Sequence, residues 1–206
     1  MTDHFATLGL DRRPAVDLED LTRRFRLAAG ASHPDRVHEA EPTARQLATD
    51  QFAALNAAFN CLRDPKERLG HLLELELGAK PKEVQQLPAD TMDLYVELGT
   101  TCRAVDVFLV EKAAVTSPVL QVALMEKGLE WTERLTTLQA KIGKQREELL
   151  ELIPKLDVQW QNAPPVGSPD RRPALPLERL EQIHRLLSYT TRWLAQVEER
   201  RVELTL

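Results

Sequence analysis

The chain has 206 residues, 43% hydrophobic and 29% charged, which is enough apolar material for a core and too much for a disordered protein. Lys and Arg number 27 against 32 Asp and Glu, a formal net charge of -5 that argues against broad nucleic-acid binding, since phosphates are recruited by a positive field. No apolar run approaches a membrane span, the first residues lack the basic head and apolar stretch of a signal peptide, and Cys61 and Cys102 lie too far apart for a disulfide framework. A soluble cytoplasmic protein with no membrane and no nucleic-acid partner is expected.

Eight glycines, no alternating strand pattern and long Leu/Glu/Arg segments predict an all-α fold. Asp3 to Leu10 is a short segment with Phe5 and Leu8 on one face. Asp17 to Ala29 is the next helix, with Asp17 as its cap, Leu18, Leu21, Phe25 and Ala28 at helical spacing, and Gly30 as its end. His33-Pro34-Asp35 reads as a loop, because Pro34 pushes His33 away from the helical region. A third helix starts after Pro42 and ends near Leu62, with Ala48, Phe52, Leu55, Phe59 and Leu62 as its stripe. Cys61 falls within that apolar helix and is expected to be a buried small hydrophobe. Asp64-Pro65 stops it and starts a fourth helix, whose core side is Leu69, Leu72, Leu73 and Leu77. Residues 1–77 therefore form one small helical unit, and 78–88 a connection.

Residues 89–206 are built from longer pieces. A helix from Ala89 or Asp90 uses Leu94, Leu98, Val105 and Leu109; Ser117-Pro118 caps the next, which uses Leu124, Trp131, Leu135, Leu138, Ile142 and Leu149 and ends near Ile153-Pro154. Six prolines from Pro154 to Pro176 mark residues 155–176 as a long surface loop. The last helix runs from about Leu177 to Val202, carrying Leu180, Ile183, Leu187, Trp193, Leu194 and Val197. Three long helices with apolar stripes bury them together most simply as an antiparallel three-helix bundle.

A catalytic reading of His33 and Asp35 lacks a nearby nucleophile, and a metal reading of His33, Asp35 and His38 has loose spacing and no cysteine pair. No catalytic residue, metal or cofactor is expected from the motif. Its context is more informative. Asp3-His4-Phe5-Ala6-Thr7-Leu8-Gly9-Leu10, Phe25-Arg26-Leu27-Ala28, His33-Pro34-Asp35-Arg36 and the run from Leu55-Asn56-Ala57-Ala58-Phe59 to Asp64-Pro65-Lys66-Glu67-Arg68 together resemble a J-domain over residues 3–75. The resemblance implies a helical hairpin with short flanking helices, and a co-chaperone that is not itself an enzyme but stimulates the ATPase of a DnaK/HscA-type chaperone. His33, Pro34 and Asp35 would be the stimulating loop, with Arg23, Arg24 and Arg26 as a basic face toward an acidic chaperone surface. Asp35 suits that role because a carboxylate pairs bidentately with an arginine.

A Gly/Phe-rich or cysteine-rich zinc module would suggest general folding work, and the sequence contains neither. A J-domain followed directly by a helical bundle resembles the HscB family of iron–sulfur cluster assembly co-chaperones. Residues 90–98 are similar to that family's first bundle helix, which implies a client-binding face at Leu94, Tyr95, Glu97 and Leu98 and an iron–sulfur cluster scaffold protein as client. Leu94 and Leu98 equally fit the bundle's own stripe, whereas Tyr95 lies off it. The competing readings are a J-domain co-chaperone whose bundle binds another client and a degenerate J-domain acting as an interaction module.

Overall fold

A computed structural model describes residues 2–31, 41–80 and 89–205, and these contain helices and connections without a strand. The helices are α1 (His4–Thr7), α2 (Leu18–Ala31), α3 (Pro42–Arg63), α4 (Pro65–Leu77), α5 (Ala89–Ala114), α6 (Pro118–Gln161), α7 (Arg171–Ala174) and α8 (Leu177–Thr205). Among the described residues, no helix is long and apolar enough to cross a membrane. The all-α class is as the sequence predicts.

Local chemistry sets the helix ends. Asp3 caps α1 by accepting from Ala6 N–H at 3.1 Å, and Asp17 accepts from Glu19 N–H at 2.8 Å at the start of α2. Asp64 ends α3 and caps α4 by accepting from Glu67 N–H at 2.9 Å, with Pro65 in the first turn where no amide hydrogen is needed. Gly78 closes α4 in the left-handed region at φ 74°, which a side chain would resist. Gly30, by contrast, does not end α2. It is not among the glycines with positive φ, and the helix runs through it to Ala31.

The chain divides into two compact units. The first comprises Met1–Lys82 and Leu150–His184. Here α1 and α2 pack on α3, and α3 on α4. Its interior holds Phe5, Leu8, Leu21, Leu55, Leu62, Leu69, Leu72 and Leu73, as read from the sequence; on α3 Ala58, not on the stripe, is also buried, whereas Phe52 and Phe59 are only half-buried. Phe25 stacks on Phe59 with ring centroids 4.4 Å apart, joining α2 to α3.

This grouping differs from the linear division expected at residues 77 and 89, because residues 150–184 pack with the N-terminal segment. Two ion pairs hold them there. Arg13 donates to both carboxylate oxygens of buried Asp157, which also accepts from Ala15 N–H at 3.2 Å. Arg171 donates through Nε and Nη2 to Glu76 at 2.8–3.1 Å, and through Nη1 to the Pro164 carbonyl at 2.8 Å.

The expected loop at 155–176 is corrected as well. Helix α6 continues through Pro154 to Gln161, and the short α7 forms between it and α8. An interior proline costs a helix about 3 kcal/mol. Ile153, Asp157 and Trp160 recur one turn apart and are all buried, and their packing with the Arg13–Asp157 pair offsets that cost.

The second unit comprises Glu83–Leu149 and Arg185–Leu206. Leu98, Cys102, Val105 and Phe108 of α5 meet Leu135, Leu138 and Ile142 of α6 and Trp193, Val197 and Leu204 of α8. Arg200 on α8 grips Asp106 on α5 at 2.7 and 2.9 Å, and Lys141 on α6 donates to Glu97 on α5 at 2.7 Å. The sequence stripe omitted Cys102 and Phe108.

Candidate functional site

His33, Pro34 and Asp35, the loop expected to face a chaperone, lie outside the described residues. Their basic flank on α2 is described. Asp20, in the first turn, binds the guanidinium groups of Arg23 and Arg24 three and four residues on, the spacing that places side chains on one helix face. These two hydrogen bonds hold the Asp20 carboxyl below its usual range. Arg24 also donates to the Gly9 carbonyl at 2.5 Å, where Gly9 takes φ 64° and a Cβ would sit 3.3 Å from the Arg24 Nη1. Arg24 thereby also ties α2 to the turn after α1. Arg23 and Arg26 are exposed, and with Leu18, Glu19, Thr22 and Leu27 they line a shallow surface of apolar, basic and one acidic side chain. Leu18 was expected on the buried stripe but is exposed there, and Leu27 was not foreseen as part of the surface.

On α5 the four residues expected to meet a client separate. Leu98 is 2% exposed within the core of the second unit, so it is corrected to a packing residue. Leu94 packs half-buried against that core, and Glu97 pairs with Lys141. Tyr95 remains 48% exposed, its ring 6.1 Å from that of Trp193. Met92 and Val96 are exposed on the same helix at spacings of three and one from Tyr95. Met92, Tyr95 and Val96 thus share one face at i, i+3 and i+4, and Met92 and Val96 were not among the residues read from the sequence.

A third constellation, in the first unit, was not read from the sequence. His4 on α1, Cys61 on α3 and His71 on α4 each bring a ligating atom to within 4.8 Å of the others. The imidazoles of His4 and His71 lie 4.4 Å apart between centroids, and His71 Nε2 accepts from the His4 backbone N–H at 3.1 Å. His4 Nδ1 is buried with no hydrogen-bond partner. Cys61, expected in the core, is only half-buried, with its thiol directed at the Glu67 carbonyl 3.7 Å away. Burial, reinforced by the Glu67 and Asp64 carboxylates, pushes that thiol up to about 11. The ligands come from three helices 57 and 10 residues apart, so no local spacing announces them.

His71 and His184 are both held below the usual imidazole value, chiefly by burial; His4 and Arg12 add to the effect at His71, and Lys66 at His184. In the window below about 6.5 the unfolded chain then binds more protons than the folded one, so the first unit's stability is present in full above that value and is lost as pH falls. The urea midpoint is expected to drop between about pH 7 and pH 5, and His71→Gln to flatten the dependence. A midpoint constant over that window in the unaltered protein would contradict this.

No family model matches the chain. It is 40% identical over 72 residues to a co-chaperone protein HscB homolog of Bordetella petrii, covering 35% of this chain and 42% of that one. The HscB homolog of Bordetella avium is 38% identical over 72 residues, covering 35% and 43%. The matched part therefore spans about two fifths of these relatives' length. Among solved structures, chaperone HscB from Vibrio cholerae aligns with a TM-score of 0.62 at 19% identity, over 98% of this chain and 99% of that one. Human co-chaperone protein HscB aligns at 0.57 and 16% identity, over 98% and 81%. The fold is that of HscB, and the resemblance to the HscB family rests on both the sequence relatives and the fold.

Proposed function

We propose that this chain is an HscB-type co-chaperone, which stimulates the ATPase of a DnaK/HscA-type chaperone and delivers an iron–sulfur cluster scaffold protein to it. The observation that carries the proposal is the 40% identity over 72 residues to a co-chaperone HscB homolog, in a chain whose whole length shares the HscB fold. The chain acts on an ATPase rather than as one. His33, Pro34 and Asp35 engage the chaperone, and the exposed Arg23 and Arg26 with Leu18 and Leu27 on α2 supply a basic rim and apolar anchors. A basic rim speeds encounter with an acidic partner and fixes its register more than it adds affinity. Single-turnover ATP hydrolysis by the chaperone, with this chain and a scaffold protein added singly and together, tests the function directly. Stimulation by both together above either alone is expected, and the absence of any stimulation would reject the reading.

The client surface of the proposal is the exposed face of α5. Interfaces draw their energy from a few anchors, often aromatic, that each cost at least about 2 kcal/mol on truncation. Tyr95→Ala is therefore expected to weaken scaffold binding about 30-fold or more, at about 1.4 kcal/mol per decade. Half-exposed Tyr95 can be truncated with the core cluster of Leu98, Val105 and Phe108 left intact. Titration calorimetry with a scaffold protein checks this. Unchanged affinity moves the interface off this face, and no binding by the unaltered chain favours a co-chaperone with a different client.

A further inference from the structure

We propose that His4, Cys61 and His71 form a three-ligand site for a divalent cation of the zinc class, with solvent in the fourth position. The site lies in the first unit and stands independently of the chaperone reading.

The donor set is two imidazoles and one thiol, the combination that suits a borderline-soft cation and disfavours magnesium or calcium, which take oxygen ligands. The geometry is close to what coordination needs. Zinc holds sulfur at about 2.3 Å and nitrogen at about 2.0–2.1 Å, so tetrahedral ligand atoms lie roughly 3.3–3.8 Å apart. The three atoms already lie within 4.8 Å of one another, so coordination asks for a contraction of about 1 Å.

Two further observations point to a ligand. His4 Nδ1 is buried without a hydrogen-bond partner, a state that costs a polar atom about 1–3 kcal/mol and that a metal bond would relieve. Cys61 is half-buried rather than enclosed in the core, and its Sγ lies within 4.8 Å of ligating nitrogens of both imidazoles while making only a weak contact to the Glu67 carbonyl at 3.7 Å. His71 Nε2 exchanges its bond from the His4 backbone N–H for the metal, and that amide, at the first turn of α1, is partly exposed and takes a water instead. The ion would cross-link α1, α3 and α4.

Coordination requires the thiolate, so binding releases the Cys61 proton to solvent and forms the metal–sulfur bond in its place.

The test uses the full, metal-stripped chain titrated with cobalt(II), whose thiolate bond gives a near-ultraviolet charge-transfer band, followed by competition with zinc(II). The band is expected in the unaltered chain, to be displaced by zinc, and to vanish in Cys61→Ser. It should persist in Cys102→Ala, which alters the other cysteine, in the second unit. Affinity in His4→Ala should fall at least tenfold while circular dichroism stays unchanged, which separates lost ligation from lost folding if His71 variants fail to fold. Zinc should also raise the unfolding temperature of the unaltered chain and leave that of Cys61→Ser unmoved. Absence of the band at excess cobalt, or a band that survives Cys61→Ser, would each overturn the proposal.

Discussion

Replacing Asp35 with Asn is expected to abolish stimulation of a DnaK/HscA-type ATPase while leaving thermal unfolding of the chain unchanged. Asparagine keeps the shape of the side chain and removes its charge. A carboxylate held bidentately by a partner arginine makes two charge-assisted hydrogen bonds, and truncating one side of such a pair at an interface costs about 2–5 kcal/mol. At about 1.4 kcal/mol per decade, that is a loss of 30-fold or more in productive complex. His33→Gln is expected to behave alike. Substitutions at polar surface positions usually change stability by less than about 0.5 kcal/mol, so the melting curve serves as the control. Single-turnover hydrolysis and thermal unfolding measured side by side decide the matter. Full stimulation by either variant rejects a contact role for the loop, and a lowered melting temperature reassigns the effect to folding.

Arg171→Ala is expected to destabilise the first unit by about 3–5 kcal/mol, because it leaves Glu76 charged, buried and unpaired. Both side chains are almost wholly enclosed, at 9% and 4% exposure, and the guanidinium meets the carboxylate through two nitrogens. The loss also strips the Pro164 carbonyl of its donor. Removing the carboxylate alone, in Glu76→Ala, should cost a similar amount. A buried pair replaced by apolar residues of similar volume is often neutral, so Arg171→Met/Glu76→Leu should recover most of the loss. Chemical denaturation of the four proteins checks this. Single variants as stable as the parent would mean that water reaches the pair, and a double variant worse than either single one would mean that the charges themselves specify the packing.

Much of the architecture was legible because helix ends and apolar stripes are local signals. Asp17, Asp64-Pro65 and Gly78 mark ends by backbone chemistry that neighbouring residues suffice to reveal. The Leu135, Leu138 and Ile142 stripe is similarly local. The misreadings lie where a distant partner decides. Pro154 reads as a breaker until Arg13, 144 residues from Asp157, is known to anchor the turn beyond it. Cys61 reads as a core hydrophobe because its stripe neighbours are apolar, and only the fold sets His4 and His71 beside it. Leu98 and Tyr95 are three residues apart on one helix, and which of them faces out depends on where α6 and α8 lie. The three arginines of α2 look equivalent in sequence, yet Arg24 is claimed by the Gly9 carbonyl.

The first unit is closed by chain that is made late. Glu76 waits for Arg171, 95 residues downstream, and Arg13 waits for Asp157, 144 residues downstream. At about 5–20 residues per second of synthesis, Glu76 leaves the ribosome roughly 5–20 s before its partner exists. During that interval α4 carries a carboxylate without its arginine and, at Gly70, a face without the His184 ring that approaches to 2.9 Å of where a Cβ would stand. The early helices can form on their own local contacts, but the pairs Arg13–Asp157 and Glu76–Arg171 close only after residues 150–184 have been added. Synthesis of this chain thus includes an interval of seconds in which its N-terminal helices stand without the partners that later close the unit.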